Sequence, residues 1–168
     1  MSCAWIDYKK PFDSVPHERI LRSLGLFKVS PRVVEFVTVK NWKIQLTLTY
    51  ESGTLMSDNI NIKREIFQGD SLLFYISLIP LSLELNSAVY EYKMGTERIT
   101  HLFYMDDLKP YSKDDSELEG LLRIVKGFSD DIGMEFGLSK CTKATFKRGK
   151  LEKSDHLRLD EETVIKDL

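Results

Sequence analysis

The sequence predicts an α+β fold, an antiparallel sheet whose apolar face is covered by helices. Three observations predict it. Cys3-Ala4-Trp5-Ile6-Asp7-Tyr8 is a short apolar run carrying one acid near its end. A second run, His101-Leu102-Phe103-Tyr104-Met105, is interrupted by Asp106-Asp107 and resumes through Leu108, Pro110 and Tyr111. That is the pattern of a hairpin turning on polar residues. Leu118, Leu121, Leu122, Val125 and Phe128 fall at helical spacing, so an amphipathic helix is available to bury the sheet's inner face.

The elements follow in order. Lys9-Lys10-Pro11 ends the first strand, because Pro11 has no N–H to give to a ladder. A helix opens at Ser14-Val15-Pro16-His17, with Ser14 as N-cap and Pro16 in the first turn, and closes at Gly25. Ser30-Pro31 opens a second helix on which Val33, Val34, Val37 and Trp42 fall near helical spacing. Ile44, Leu46 and Leu48 alternate with polar residues, Gly53 lies in a turn, and residues 55–62 return as the partner strand. Gln68-Gly69-Asp70-Ser71 leads into a buried helix reaching about Tyr90, N-capped at Asp70 or Ser71 and kinked at Pro80. Gly95 marks a turn before the central hairpin, residues 98–104 against 108–111. Asp114 or Asp115 caps the amphipathic helix and Gly133 stops it. Ala144-Thr145-Phe146 reads as a strand. From Lys150 the tail is charged, with one weak strand at 156–159.

Composition narrows the function classes. The chain has 168 residues, 42% hydrophobic and 30% charged, which suits one globular domain and excludes a disordered or fibrous protein. With 24 basic and 26 acidic residues the net charge is −2, so any nucleic-acid binding must come from local patches. Cys3 and Cys141 are too few for a disulfide framework, and with His17, His101 and His156 they show no zinc spacing. With an apolar strand at the very start, the expectation is a chain that begins inside a larger domain. No basic stretch precedes a long apolar one at the start. The most apolar segment, residues 72–85, is interrupted by Ser77, Pro80 and Ser82 and falls short of the roughly 20 residues a bilayer requires. An intracellular protein without membrane contact is the expectation.

Candidate chemistry lies in three acids. Adjacent bare carboxylates repel, and a site that holds them together supplies a cation. Asp114-Asp115 and Asp130-Asp131 read as helix-end or surface pairs, whereas Asp106-Asp107 has apolar residues on both sides. Asp7 ends its strand as Asp106 and Asp107 end theirs. Acids at the ends of neighbouring strands can hold magnesium or manganese through oxygen. Two such ions about 4 Å apart would stabilise the entering and leaving oxygens of phosphoryl transfer. An ordinary solvated turn is the alternative for the pair.

Ile6-Asp7-Tyr8-Lys9-Lys10-Pro11-Phe12-Asp13-Ser14-Val15 resembles motif A of reverse transcriptases, especially those of non-LTR retrotransposons. Phe67-Gln68-Gly69-Asp70-Ser71-Leu72 looks like motif B, Tyr104-Met105-Asp106-Asp107 like the Tyr-x-Asp-Asp box of motif C, and residues 128–140 like motif D. The ordered set is specific where one box would not be. The resemblance implies a polymerase palm over residues 1–150, lacking most of the fingers and all of the thumb, with 151–168 a charged tail in which a following hairpin could begin. It implies RNA-directed DNA polymerisation with Mg2+ or Mn2+, on an RNA template with a DNA primer and deoxynucleoside triphosphates. Asp7 and Asp106 would be the chief metal ligands, Asp107 would assist, and the Tyr8 carbonyl would complete the set. Phe12 would be the steric gate against a ribose 2′-OH, Gln68 and Gly69 would line the incoming nucleotide, and Lys140 would meet the departing pyrophosphate. Taken alone, Phe12 reads equally as a core aromatic, Gln68 as a helix-cap group and Lys140 as a surface lysine.

The departures from the family pattern are specific. Pro11 stands where alanine is usual and Glu65 where glycine is usual. Leu72 runs straight to Leu73-Phe74, as if about three residues were deleted. In a helix that shortens the element by about 4.5 Å and turns the remainder by about 60°. The expectation is a truncated palm, weakly active or inactive by itself. The alternatives are a non-catalytic palm-derived interaction domain, a decayed element remnant, or an unrelated magnesium-dependent phosphotransfer domain. The last would leave Phe12 and Gln68-Gly69 unexplained.

Overall fold

The computed structural model describes residues 1–37, 43–66, 70–90 and 92–168. The first strand, β1 (Ser2–Trp5), is followed by α1 (Pro11–Ser14), α2 (His17–Leu26) and α3 (Pro31–Val37). Four short strands come next: β2 (Lys43–Ile44), β3 (Thr47–Tyr50), β4 (Gly53–Met56) and β5 (Ile60–Asn61). Then follow α4 (Ser71–Ser87), β6 (Tyr92–Met94), β7 (Glu97–Ile99), β8 (His101–Tyr104), β9 (Asp107–Ser112) and α5 (Asp115–Ile132). The chain closes with β10 (Thr142–Lys147), β11 (Lys150–Glu152), β12 (Leu157–Arg158) and β13 (Val164–Asp167).

The central sheet runs β12-β13-β10-β1-β9-β8, with β11 also pairing β10. Its pairs are antiparallel except β10 with β13. β1 is therefore an interior strand, consistent with its apolar run, and the hairpin β8–β9 forms one margin. α5 packs on β1 and β9, and α4 packs on α5, α2 and β8. The predicted α+β arrangement of an antiparallel-dominated sheet backed by helices is what the structure has.

Local chemistry explains the helix behind the site. α5 buries Leu118, Leu121, Leu122, Val125, Phe128 and Ile132 along one stripe. Each fully buried leucine contributes about 1.5–3 kcal/mol relative to exposure. The Asp114 carboxylate accepts the Glu117 N–H at 3.0 Å, capping the first turn. Gly133 ends the helix at φ 71°, a left-handed geometry that glycine adopts without a Cβ penalty. Asp70 caps α4 in the same way, accepting from Leu73 N–H at 3.1 Å, and α4 continues through Pro80.

Several expectations are corrected. Ser14 does not cap the second helix. It ends α1 and donates to the Lys10 carbonyl, while α2 is entered through Pro16, which has no capping side chain. The stretch 98–104 is two strands, because β7 pairs back on β6. At the break between them, the Thr100 carbonyl accepts from Tyr111 N–H at 2.8 Å. Beyond the weak strand near 156–159, the tail adds β13, whose Ile165 is fully buried. Trp42, assigned to the helix of α3, lies outside the described residues.

Candidate active site

Strand register positions the acids. Ser2 pairs with Ser112 and Cys3 with Tyr111. Ile6 and Leu108 exchange both backbone bonds, at 2.9 and 3.1 Å. The same register carried one residue further sets Asp7 directly opposite Asp107, on the same face of the sheet. Tyr104 pairs with Asp107 to close the hairpin, so Met105 and Asp106 form the two-residue turn. Asp107 is thus the first residue of β9, and Asp106 alone of the pair sits in the bend. Met105 takes φ 53°, and its N–H donates to the Tyr75 hydroxyl of α4 at 2.7 Å.

Asp7 is held from its other edge by the turn that precedes β10. Its carbonyl accepts from Gly137 N–H at 2.7 Å, and Cys141 Sγ lies 3.5 Å from both its N–H and its carbonyl oxygen. Burial pushes the Cys141 thiol up, which keeps the proton it donates to that carbonyl. Lys140 Nζ lies 3.3 Å from Asp7 Oδ1. Asp7, Asp107 and Lys140 line one open cleft of about 620 Å³ together with Trp5, Tyr104 and Lys109. A second cavity of about 590 Å³ lies on the other side of Asp7 and Lys140, and Lys9, Lys10 and Ser139 line it.

The other expected residues fall as follows. Tyr8 is buried, with its hydroxyl 3.2 Å from Ser129 Oγ, and burial raises its phenol well above the ordinary range. Asp7 and Lys9 bond to the Phe136 side, so by alternation the Tyr8 carbonyl points to the side of Leu108 and the hairpin. Phe12 is half-buried and stacks on Phe74 of α4, with ring centroids 4.9 Å apart. It is a partly buried aromatic packed against the core, which is the packing reading of it. Gln68 and Gly69 lie outside the described residues.

Electrostatics mark the acids as one site. The Asp107 carboxyl is raised above its usual range, first by burial and then by the negative charges of Asp106 and Asp7, against the lowering effect of Lys140. Carboxylates that repel in this way are a hard-oxygen donor set, and hard cations such as Mg2+ are often held by one or two carboxylates plus water and substrate phosphate. Among the described residues no group of three or more His, Cys, Asp or Glu side chains is placed to hold a metal ion. Asp7 and Asp107 lining one open cleft supply carboxylate oxygens of the kind a hard cation takes, and water and substrate phosphate would have to complete its shell.

Reading the residues alone missed Tyr75, Gly137 and Cys141. Tyr75 was absorbed into an apolar helix, and its hydroxyl was the one available signal. Gly137 and Cys141 flank Lys140 in the motif D stretch, but nothing local reveals that they meet residue 7.

A match to known proteins now bears on this geometry. The family model described as "Reverse transcriptase (RNA-dependent DNA polymerase)" matches residues 2–161. A search of the curated proteins finds no match. Among solved structures, apo telomerase from Candida tropicalis, truncated from the C-terminal domain, is similar with a TM-score of 0.56 at 12% identity. That likeness covers 94% of this chain and 32% of the other. Telomerase from Candida albicans, in complex with a TWJ fragment of telomeric RNA, is similar with a TM-score of 0.52 at 10% identity, covering 94% and 28%. The chain thus spans about a third of the length of these two relatives, and at such identities the likeness concerns the fold, which is consistent with a palm-like α+β arrangement. Among the described residues no helix is long and apolar enough to cross a membrane. With its motifs in order, Asp7 and Asp107 lining one cleft, and the family model matched over nearly its whole length, the chain belongs to the reverse transcriptase (RNA-dependent DNA polymerase) family.

Proposed function

We propose that the chain is the catalytic palm portion of an RNA-directed DNA polymerase of the non-LTR retrotransposon type, acting on a DNA primer, an RNA template and deoxynucleoside triphosphates. The observation that carries the reading is Asp7 opposite Asp107, with Asp106 in the adjoining turn. Asp7 and Asp106 would be the chief ligands of Mg2+ or Mn2+, Asp107 would assist from the first position of β9, and the Tyr8 carbonyl would complete the set. A bound divalent ion would supply charge neutralisation for the phosphates and lower the pKa of the attacking hydroxyl.

The chain's own residues do the rest. Lys9, Lys10 and Lys140 line one cavity together with Asp7, Asp13 and Glu135, so a triphosphate there would need a divalent cation to offset the acids, and Lys140 would meet the leaving pyrophosphate as charge or proton donor. Phe12 presents a flat apolar edge on which a ribose 2′-OH finds no hydrogen-bond partner. Gln68 and Gly69 would line the nucleotide. The retrotransposon type is supported by the motif A string and by Phe67-Gln68-Gly69-Asp70-Ser71-Leu72. By itself the chain would polymerise weakly or not at all, which the shortening after Leu72 supports. Fingers and thumb segments of a larger polyprotein would then be its partners.

Primer extension on poly-rA with oligo-dT, dTTP and Mg2+ or Mn2+ tests the reading. Slow, metal-dependent incorporation that is lost in Asp7→Asn is expected. Incorporation that survives Asp7→Asn overturns the site, and fast incorporation overturns the weak-activity part. A non-catalytic descendant is the second reading, favoured by the same shortening. It predicts no incorporation, and no rise in melting temperature on adding Mn2+.

A further inference from the structure

Gly137 lies between Phe136, which bridges to Tyr8, and the start of β10. Its φ is not left-handed, unlike those of Gly95, Gly133 and Gly149, so the backbone conformation does not call for glycine here. Space does. The three nearest atoms to a Cβ built on Gly137 all belong to Asp7: it would overlap the carboxylate Oδ2 and come within 3.5 Å of Cγ and of the carbonyl oxygen. The backbone of Asp7 has little room to retreat, being bonded to Gly137 N–H at 2.7 Å and bracketed by Cys141 Sγ. The carboxylate is the part that can move.

We propose that Gly137 is a positioning residue for Asp7, its missing side chain being what allows the Asp7 carboxylate to lie against the 137–141 turn while facing Asp107. The proposal rests on the reading of Asp7, with Asp106 and Asp107, as cation ligands. The turn works as one cradle. Lys140 N–H donates to the Gly137 carbonyl at 2.8 Å and closes it, Gly137 leaves room for Oδ2, and Lys140 Nζ reaches Oδ1. None of this touches substrate; it acts through Asp7. A methyl group at 137 leaves the strand pairing intact and rotates the carboxylate, because a side-chain end yields more cheaply than a hydrogen-bonded strand. One of two opposed carboxylates is then withdrawn from the cation.

The test compares Gly137→Ala with Gly127→Ala, whose added Cβ meets nothing within 4 Å. Two quantities are read on the whole chain: the Asp7 χ1 rotamer from NMR scalar couplings, and Mn2+ affinity by electron paramagnetic resonance titration. Gly137→Ala is expected to change the rotamer and to weaken Mn2+ binding at least about tenfold, or about 1.4 kcal/mol, while Gly127→Ala does neither. An unchanged rotamer overturns the proposal, and so does a changed rotamer with unchanged Mn2+ affinity. If the parent chain binds no Mn2+, the cation reading falls, and the rotamer comparison alone decides whether Gly137 positions Asp7. Should Gly137→Ala fail to fold, it is repeated in an Asp7→Ala background where the overlap is gone. Folding restored there supports the proposal, and a second failure overturns it.

Discussion

Lys140 Nζ lies 3.3 Å from Asp7 Oδ1, although the lysine side chain is 72% exposed and the carboxylate only 18%. A mobile ammonium therefore stands where a divalent cation would draw the same oxygen. An exposed pair of this kind is worth about 0.2–1 kcal/mol. Lys140→Met should leave the fold unchanged and tighten Mn2+ binding by up to about fivefold, measured by calorimetric titration. Binding that weakens instead would show that the lysine does not compete for Asp7.

Asp107 offers a check on the acid pairing. Its carboxyl is raised by burial, then by Asp106 and Asp7, so it takes up its proton at a higher pH than an ordinary carboxyl. Mn2+ affinity should fall with pH across that raised midpoint. Asp7→Asn removes one negative neighbour and should move the Asp107 midpoint down, read from its carboxyl carbon by NMR. A midpoint that stays put would separate the two acids.

Glu65 adopts φ 89° at the position where the family usually has glycine. It is held there by backbone bonds from its N–H to the Val15 carbonyl and from Ile66 N–H to the Phe12 carbonyl, and its own carbonyl lies 2.7 Å from His17 Nε2. A non-glycine residue in that region costs on the order of 1 kcal/mol. Glu65→Gly should raise stability by about that amount, in spite of the greater freedom glycine brings to the unfolded chain. Urea unfolding of the two chains measures it.

At the other end of the sheet Lys143 is fully buried, its Nζ 3.1 Å from Asp115 and 3.7 Å from Asp167. Burial alone would raise the Asp115 carboxyl, but hydrogen bonds from Ser2, Thr145 and Lys143, with the lysine charge, bring it down to about 2. A depressed carboxyl contributes stability that is complete above its unfolded pKa, about 3.9, and lost as pH falls through the folded value. Acid should therefore loosen the fold between about pH 4 and 2, followed by circular dichroism. Asp115→Asn leaves the Lys143 ammonium with Asp167 and Ser154 as its remaining partners and should cost about 1.5–3 kcal/mol at neutral pH, the range for a hydrogen bond to a charged group.

On the proposal that Phe12 is the gate against a ribose 2′-OH, Phe12→Ala should let ribonucleotides compete with deoxynucleotides in primer extension. Loss of the stack on Phe74 should also cost roughly 2–4 kcal/mol for a half-buried ring. Unchanged discrimination with lowered stability would leave Phe12 as packing alone.

Local signals made much of the fold legible. The stripe of α5, its Asp114 cap and its Gly133 stop all follow from 3.6-residue spacing and capping chemistry. The Asp70 cap of α4 was readable for the same reason, and so was the existence of the hairpin, but its tip is Met105-Asp106 where Asp106-Asp107 was expected, because Asp107 pairs with Tyr104. Less legible were the elements without a strong period. Val164–Asp167 is a short, charged stretch, and its parallel place beside β10 owes nothing to its own pattern. The helix-cap role of Ser14 failed because a one-turn helix, α1, intervenes and claims it.

The sequence by itself determined that acids stand at the ends of two apolar runs and that the motifs come in family order, since both are written in consecutive residues. Only the tertiary structure decided that Asp7 faces Asp107 and that Gly137, Lys140 and Cys141 close around Asp7. Those contacts join positions a hundred or more residues apart, and strand register over such distances is set by the packing of the whole sheet, to which no local periodicity bears witness.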